Sequence, residues 1–154
     1  VITESGSVQP LTIVRYGEVL LNKAEACYHL TETAAANEAV RAIRTRVGLP
    51  YTDKSSSDLW AAIRQERKVE LAYEGLWYWD LRRWGVAHKQ YPEGLSGYQL
   101  HGLKIEKTGE GEFTYNYVSV DDKDRNFLEK MYRFPLPSSE LTSNSLVNQF
   151  PEWN

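Results

Sequence analysis

The chain is short of several features that would announce a function class. It has one cysteine, Cys27, which excludes an internal disulfide, and no Cys/His cluster has zinc-site spacing. That count leaves the redox compartment open, because a secreted protein can lack disulfides. No apolar stretch approaches the roughly 20 residues needed to cross a bilayer. Lys and Arg are scattered and the net charge is −3, so the basic footprint of a nucleic-acid binder is missing. Nothing resembles a Ser/His/Asp triad, a P-loop or a dinucleotide fingerprint. The first residues, Val1-Ile2-Thr3-Glu4, carry neither an initiating Met nor a signal peptide. They read as the start of a processed protein or of a fragment.

Aromatic residues, by contrast, are abundant: five Trp and ten Tyr in 154 residues, which can serve as core mass or as stacking surfaces. The length suits one domain with a core of its own, 1–154, helical over 13–85 and irregular over 86–154. The fold class expected is mainly α: a tetratricopeptide-like helical hairpin and further helices, then loops and a small β-hairpin in the C-terminal half.

Residues 1–12, broken by Gly6 and Pro10, read as an extended lead-in. From 13 to about 30 the period is helical, with Ile13, Tyr16, Leu20, Ala24, Cys27 and Tyr28 on one face and Arg15, Glu18, Asn22, Glu25 and His29 on the other. A second helix is expected over 34–47, with Thr33 as its N-cap and Ala36, Ala39, Val40, Ile43 and Val47 inward. Gly48 and Pro50 stop it. A third helix is expected over 58–74, capped by Ser55 or Ser57 and ended by Gly75. A short aromatic helical turn over 76–84 follows, stopped by Gly85. Beyond it, 100–107 and 112–120 read as a hairpin, 126–132 as a short helix, and Ser138 or Ser139 as the cap of a last turn through Leu141. One helical hairpin cannot bury both its faces, so it must pack on something else.

The third helix carries the most informative pattern. At about 100° per residue, the stripe of Leu59, Ile63, Val69 and Tyr73 has Glu66, Glu70 and Glu74 along its middle and Arg67 at its edge. An unpaired buried carboxylate costs several kcal/mol, so these acids need partners. They could be a metal site or an acid/base pair, but in carboxylate metal bundles such acids come with a Glu-x-x-His element on another helix, and His29, His88 and His101 have no such spacing. The simpler reading is a partly buried ion network of Glu66, Arg67, Glu70, Glu74, Asp80 and Arg83, with Arg82 or an Arg of the hairpin as further partners. No catalytic residue and no metal ligand is assigned. The aromatic turn offers Trp77, Tyr78, Trp79 and Trp84: packing is expected for Trp79 and Trp84, and Trp77 and Tyr78 are the candidate ligand-stacking residues. Cys27, on an apolar face, reads as a buried inert thiol.

The stretch Ile63-Arg64-Gln65-Glu66-Arg67-Lys68-Val69-Glu70-Leu71-Ala72-Tyr73-Glu74-Gly75, continued by Trp79-Asp80-Leu81-Arg82-Arg83-Trp84-Gly85, resembles the C-terminal signature of the SusD/RagB family. Arg15-Tyr16-Gly17-Glu18 with Ala24-Glu25-Ala26 is similar to another helix of that family, and so is Ala39 to Leu49. Tyr132-Arg133-Phe134-Pro135-Leu136-Pro137 and Asn148-Gln149-Phe150-Pro151-Glu152-Trp153 resemble its terminal motifs. The order runs nearly end to end. Trp77 stands where the family usually has Arg, and Phe150 where it usually has Asn. Family members are several times longer, so the match is to their C-terminal part.

The resemblance implies an α-rich fold with tetratricopeptide-like helix pairs. It implies a lipoprotein on the outer face of a Gram-negative outer membrane, held by a lipid anchor that this chain lacks; Cys27, mid-helix, cannot be the lipobox cysteine. It further implies a SusC-like TonB-dependent transporter as partner, an oligosaccharide or peptide as ligand, and neither catalysis nor a cofactor. Glu66, Arg67, Glu70 and Asp80 fall on motif positions that are structural in the family, and no ligand residue is carried over. The expected function is therefore glycan or nutrient binding in an outer-membrane uptake complex. The rivals are a helical-repeat protein-interaction module and a carboxylate-dependent hydrolase, which would need two acids facing one cleft about 5–10 Å apart.

Overall fold

The computed structural model describes residues 12–154, so the lead-in expected over 1–12 falls, except for Thr12, outside the described residues. Among the described residues there are five α-helices, one two-stranded sheet and two short 3₁₀ turns, the mainly α architecture with a β-hairpin that the sequence leads one to expect. The chain divides into two compact units, one ending at Trp77 and the other spanning Tyr78–Asn154.

In the first unit, α1 (Tyr16–His29) and α2 (Thr33–Arg46) form the hairpin, and α3 (Ser56–Glu70) packs on both. Small residues let the backbones approach: Ala24, Ala36 and Ala39 are buried with Cys27, Val40, Leu59 and Ile63, and Tyr28, Ala35, Tyr51 and Trp60 close the cluster. Burying a side chain such as Leu59 or Ile63 is worth about 1.5–3 kcal/mol. A second cluster joins Leu21, Ile43 and Leu71, flanked by Leu20 and Leu76.

Three details differ from the sequence expectation. The buried stripe of α1 is rotated by about one residue, to Leu21, Ala24 and Cys27 with Glu25, the side that faces α2 and α3; the helix starts only at Tyr16, and Ile13 and Tyr16 are exposed. Second, α3 stops at Glu70, so Tyr73 and Glu74 lie outside it. Leu71 turns into the second cluster, Tyr73 takes a left-handed φ of 66° and is exposed, and Val69 is exposed as well. Third, Val47 follows α2 and is exposed.

The helix ends are closed by backbone geometry, not by side-chain caps. Thr33 is the first residue of α2, and neither Glu32 before it nor Ser55 before α3 makes a capping side-chain bond; Ser57 lies inside α3. After α2, Gly48 at φ 71° lets its own N–H reach Thr45 O at 3.1 Å and the Leu49 N–H reach Arg44 O at 2.9 Å. This pair of bonds is the Schellman arrangement, which satisfies the carbonyls a helix end leaves over.

Helix α4 (Leu76–Arg83) contains the division between the units. In the second unit, β1 (His101–Gly109) and β2 (Glu112–Ser119) pair antiparallel, with Leu103 opposite Tyr117 and Ile105 opposite Tyr115. The short helix expected over 126–132 is only a 3₁₀ turn, Glu129–Tyr132: Leu128 before it is extended, and Phe127 is tied to Ser96, its N–H donating to Ser96 Oγ at 3.1 Å and that hydroxyl donating back to Phe127 O at 3.2 Å. The last helix, α5 (Ser138–Ser143), runs past Leu141 and is preceded by Pro137. Pro137 is the N-cap and the two serines are the first residues of the helix, so neither acts as a side-chain cap; their carbonyls accept from Thr142 and Ser143.

Candidate functional site

The acids of α3 meet arginines from the hairpin and its lead-in. Glu66 is paired with Arg44 of α2. Glu70, the last residue of α3, accepts from Arg15 Nη1 at 2.6 Å and from Arg46 Nη2 at 2.6 Å. Arg15 also donates to the Glu70 carbonyl and, through Nε, to both Glu74 oxygens at 2.8 and 3.0 Å. One guanidinium therefore holds two carboxylates, and these bonds, to Glu74 above all, push the Arg15 guanidinium further above its ordinary range. Gly17 makes room for this: a Cβ there would come against the Arg15 guanidinium and within 2.9 Å of Glu70 Oε1.

Arg67 is buried and donates to Asn22 Oδ1 of α1 at 2.7 Å. Buried Asp80 accepts from Arg83 Nε at 2.9 Å, one turn along α4. Of the expected network, Glu66 is thus joined to Arg44, Glu70 and Glu74 to Arg15, Arg67 to Asn22, and Asp80 to Arg83. The helical period puts Arg15 on the solvated side, and nothing in that pattern marks it as the hub. Beside it lies an open cleft of about 580 Å³ lined by Ile13, Arg15, Glu18, Tyr73, Glu74 and Leu76. Glu74 reaches this cleft; Glu66 and Glu70 do not line it. Among the described residues, no group of three or more His, Cys, Asp or Glu is placed to hold a metal ion.

Among the described residues, Arg82 serves no carboxylate. It donates to Met131 O at 2.7 Å and to Tyr132 O at 2.8 Å, with its guanidinium carbon 5.2–5.9 Å from the ring centres of Tyr78, Trp79, Phe127, Tyr132 and Phe134. Of the candidate stacking residues, Trp77 is half-buried with the Lys68 ammonium 5.3 Å over its ring. Tyr78 is partly exposed and its hydroxyl accepts from Arg82 at 3.2 Å. Trp79, expected to pack, is 55% exposed, because the neighbouring side of α4 carries the buried Asp80 and Leu81. Trp84 is half-buried with Arg83 over its ring at 5.0 Å.

Sequence reasoning missed Asn37, a buried amide on α2. Its Nδ2 donates to Thr33 O at 2.9 Å and to Lys54 O at 2.8 Å, and its Oδ1 accepts from Tyr51 Oη at 2.8 Å and Lys54 N at 2.9 Å. It ties the α2–α3 loop to the hairpin, and burial pushes the Tyr51 phenol up. Cys27 is buried, and burial, together with a hydrogen bond to Glu32, pushes its thiol up, away from the reactive thiolate.

The sequence pattern of the SusD family matches residues 1–153. A solved structure described as selenomethionine BT4246 aligns with 96% of the chain at a TM-score of 0.70 and 28% identity. The chain spans about a quarter of the length of that protein (25%). No curated protein matches the chain. A family match of this extent leaves one conclusion: the chain belongs to the SusD family.

Proposed function

We propose that this chain is the C-terminal portion of a non-catalytic glycan- or nutrient-binding component of an outer-membrane uptake complex. The observation that carries the reading is the family match along residues 1–153, the pattern in which Glu66 and Glu70 fall opposite arginines. Each of these carboxylates is already engaged by a guanidinium from another element, which supports a structural part for it. Their work is to join α3 to the hairpin, and the Asp80–Arg83 pair does the same within α4. Trp77 and Tyr78 are the α4 residues proposed to meet ligand, with Tyr78 the more accessible ring.

The partner under this reading is a SusC-like TonB-dependent transporter, and the place is the cell-surface face of the outer membrane, reached through a lipid anchor. Among the described residues no helix is long and apolar enough to cross a membrane. A second reading, a helical-repeat interaction module, draws on the exposed Val14, Tyr16 and Val19 at the start of α1. Affinity electrophoresis of the protein through gels containing a panel of neutral polysaccharides separates the two. Retardation by at least one polymer is the expected result. Free migration through every gel, with capture of a peptide or of the transporter alone, rejects glycan binding.

A further inference from the structure

The second unit holds an open groove of about 590 Å³ lined by Tyr91, Gly97, Tyr98, Gln99, His101 and Tyr117. None of these residues belongs to the motifs through which the chain resembles its family. They come together through two pieces of local structure. Side chains alternate along a strand, and the pairing of His101 with Ser119 and of Leu103 with Tyr117 puts His101 and Tyr117 on the same face of the hairpin. The loop before β1 is tied down by backbone bonds: Tyr91 N–H to Ser96 O at 2.8 Å, Leu95 N–H to Ala87 O at 3.0 Å, and Gly97 N–H to Arg125 O at 2.9 Å. Ser96, buried, is locked to Phe127 from both sides of its hydroxyl.

Gly97 keeps the groove clear. Its φ is 71°, and a Cβ there would lie 2.5 Å from Gln90 Oε1. The rings of Tyr91 and Tyr98 stand 4.9 Å apart at 54°, Tyr98 half-buried and Tyr91 half-exposed, so the pair is braced on one side and open on the other. Tyr117 is 83% exposed. His101 Nδ1 lies 3.0 Å from Gln99 O, a contact that orients the imidazole.

The lining decides the chemistry. It contains no carboxylate, ammonium or guanidinium, so a charged ligand would find no counter-charge among these six residues. It combines three tyrosine rings, whose faces are apolar and whose hydroxyls are polar, with one amide and one imidazole. A flat apolar face rimmed by neutral donors and acceptors matches a sugar ring, which presents C–H groups on one face and hydroxyls around its edge. The open shape suits one unit of a longer chain.

We propose that this groove binds a neutral pyranose unit of an oligosaccharide, stacked on Tyr117 and the Tyr91–Tyr98 pair and hydrogen-bonded by Gln99 and His101. The inference rests on the glycan-binding reading above and adds to it a contact outside the family motifs, where specificity for one glycan can differ between members.

The test uses the intact protein and gels containing an α-glucan, a β-glucan, a mannan or a xylan. With a polymer that retards the wild type, Tyr117→Ala and Tyr91→Ala are each expected to weaken the apparent Kd about tenfold or more, the effect of removing a central aromatic contact. Tyr117→Phe keeps the ring and is expected to stay within about threefold of wild type. Tyr115→Ala, two residues along the same hairpin face and also well exposed at 62%, is the control and is expected to bind as wild type. Circular dichroism checks the fold of each variant; Tyr117, being so exposed, can be removed without opening a cavity. Wild-type binding in all four variants overturns the groove while leaving glycan binding intact. An equal loss in Tyr115→Ala also overturns it, since the whole face would then be adhesive without a defined site. If the wild type binds none of the polymers, the glycan reading fails and the groove assignment falls with it.

Discussion

Arg15 Nη1 lies 2.6 Å from Glu70 Oε1, although 55 residues separate the two along the chain. The contact joins the residue before α1 to the last residue of α3, with the Glu70 side chain only 11% exposed and that of Arg15 30% exposed. Removing one partner of such a pair leaves the other partly desolvated. Partial exposure reduces the cost, which we expect to be about 1–2 kcal/mol for Glu70→Ala, well below a fully buried pair. The thermal midpoint followed by circular dichroism should fall by about 3–8 °C. Ligand affinity measured well below the transition should not change. Weakened binding at an unaltered midpoint would sink the structural role assigned to Glu70.

Asn37 makes a sharper case, because all four of its hydrogen-bonding positions are used and none reaches solvent. Asn37→Ala removes the partner of the Lys54 N–H and of the Tyr51 hydroxyl, both part-buried, at an expected cost of about 1–3 kcal/mol in all. Asn37→Asp keeps the shape but turns two donors into acceptors facing the carbonyls of Thr33 and Lys54. It is expected to be at least as harmful as Ala near neutral pH. Urea unfolding midpoints of the two variants check the order, and an Asp variant as stable as wild type would show that the clamp carries no weight.

The positions of α1 to α4 and of the hairpin were legible in the sequence because apolar period, glycine stops and turn residues agree with one another over those stretches. The carboxylates of α3 were legible as a set needing partners, from the cost of burying charge alone. Which arginines serve them was not. Arg15 precedes its helix, so a helical wheel says nothing reliable about its direction, and its partner lies in another element. Asn37 looked like one polar residue among alanines, since its partners in the α2–α3 loop are brought to it only by the tertiary fold. Trp79 was expected inside because large aromatics bury area well, but α4 is eight residues long and gives its buried side to Asp80 and Leu81. The groove tyrosines follow no period at all. Tyr117 and His101 meet through strand register, which is set by the turn at the far end of the hairpin.

Arg82 is the organising cation of the second unit, and its fork geometry is what the site uses. Two of its nitrogens reach the adjacent carbonyls of Met131 and Tyr132, while the flat guanidinium lies among aromatic rings. Lysine can supply a charge but neither the fork nor the flat face. Arg82→Lys is therefore expected to cost about 1–3 kcal/mol, the range for losing a charge-assisted bond and leaving a carbonyl unserved. The near-ultraviolet circular dichroism of the surrounding tyrosines and tryptophans should weaken as the rings lose their fixed packing. A lysine variant with an unchanged aromatic signal and midpoint would mean that positive charge alone suffices at this position.

The turn between α1 and α2 carries a strained residue that can be relieved. Thr31 has a φ of 61°, and it occupies the place where its N–H reaches Tyr28 O at 3.0 Å and the Glu32 N–H reaches Cys27 O at 2.8 Å. This is the same closing geometry that Gly48 provides after α2, but here a β-branched residue adopts it. The left-handed region costs an ordinary residue about 1–2 kcal/mol, and β-branching makes it worse, whereas glycine enters it freely. Against that gain stands the extra freedom glycine gives the unfolded chain, about 0.4–1 kcal/mol. The hydroxyl of Thr31 bonds only to the neighbouring Leu30 carbonyl, at the surface, so little else is lost with it. Thr31→Gly should therefore raise stability by roughly 0.5–1 kcal/mol, and Thr31→Asn, which tolerates the same backbone better than threonine, should fall between the two. Chemical denaturation of the three proteins tests the order. If glycine proves less stable than threonine, the turn is held by something other than its backbone.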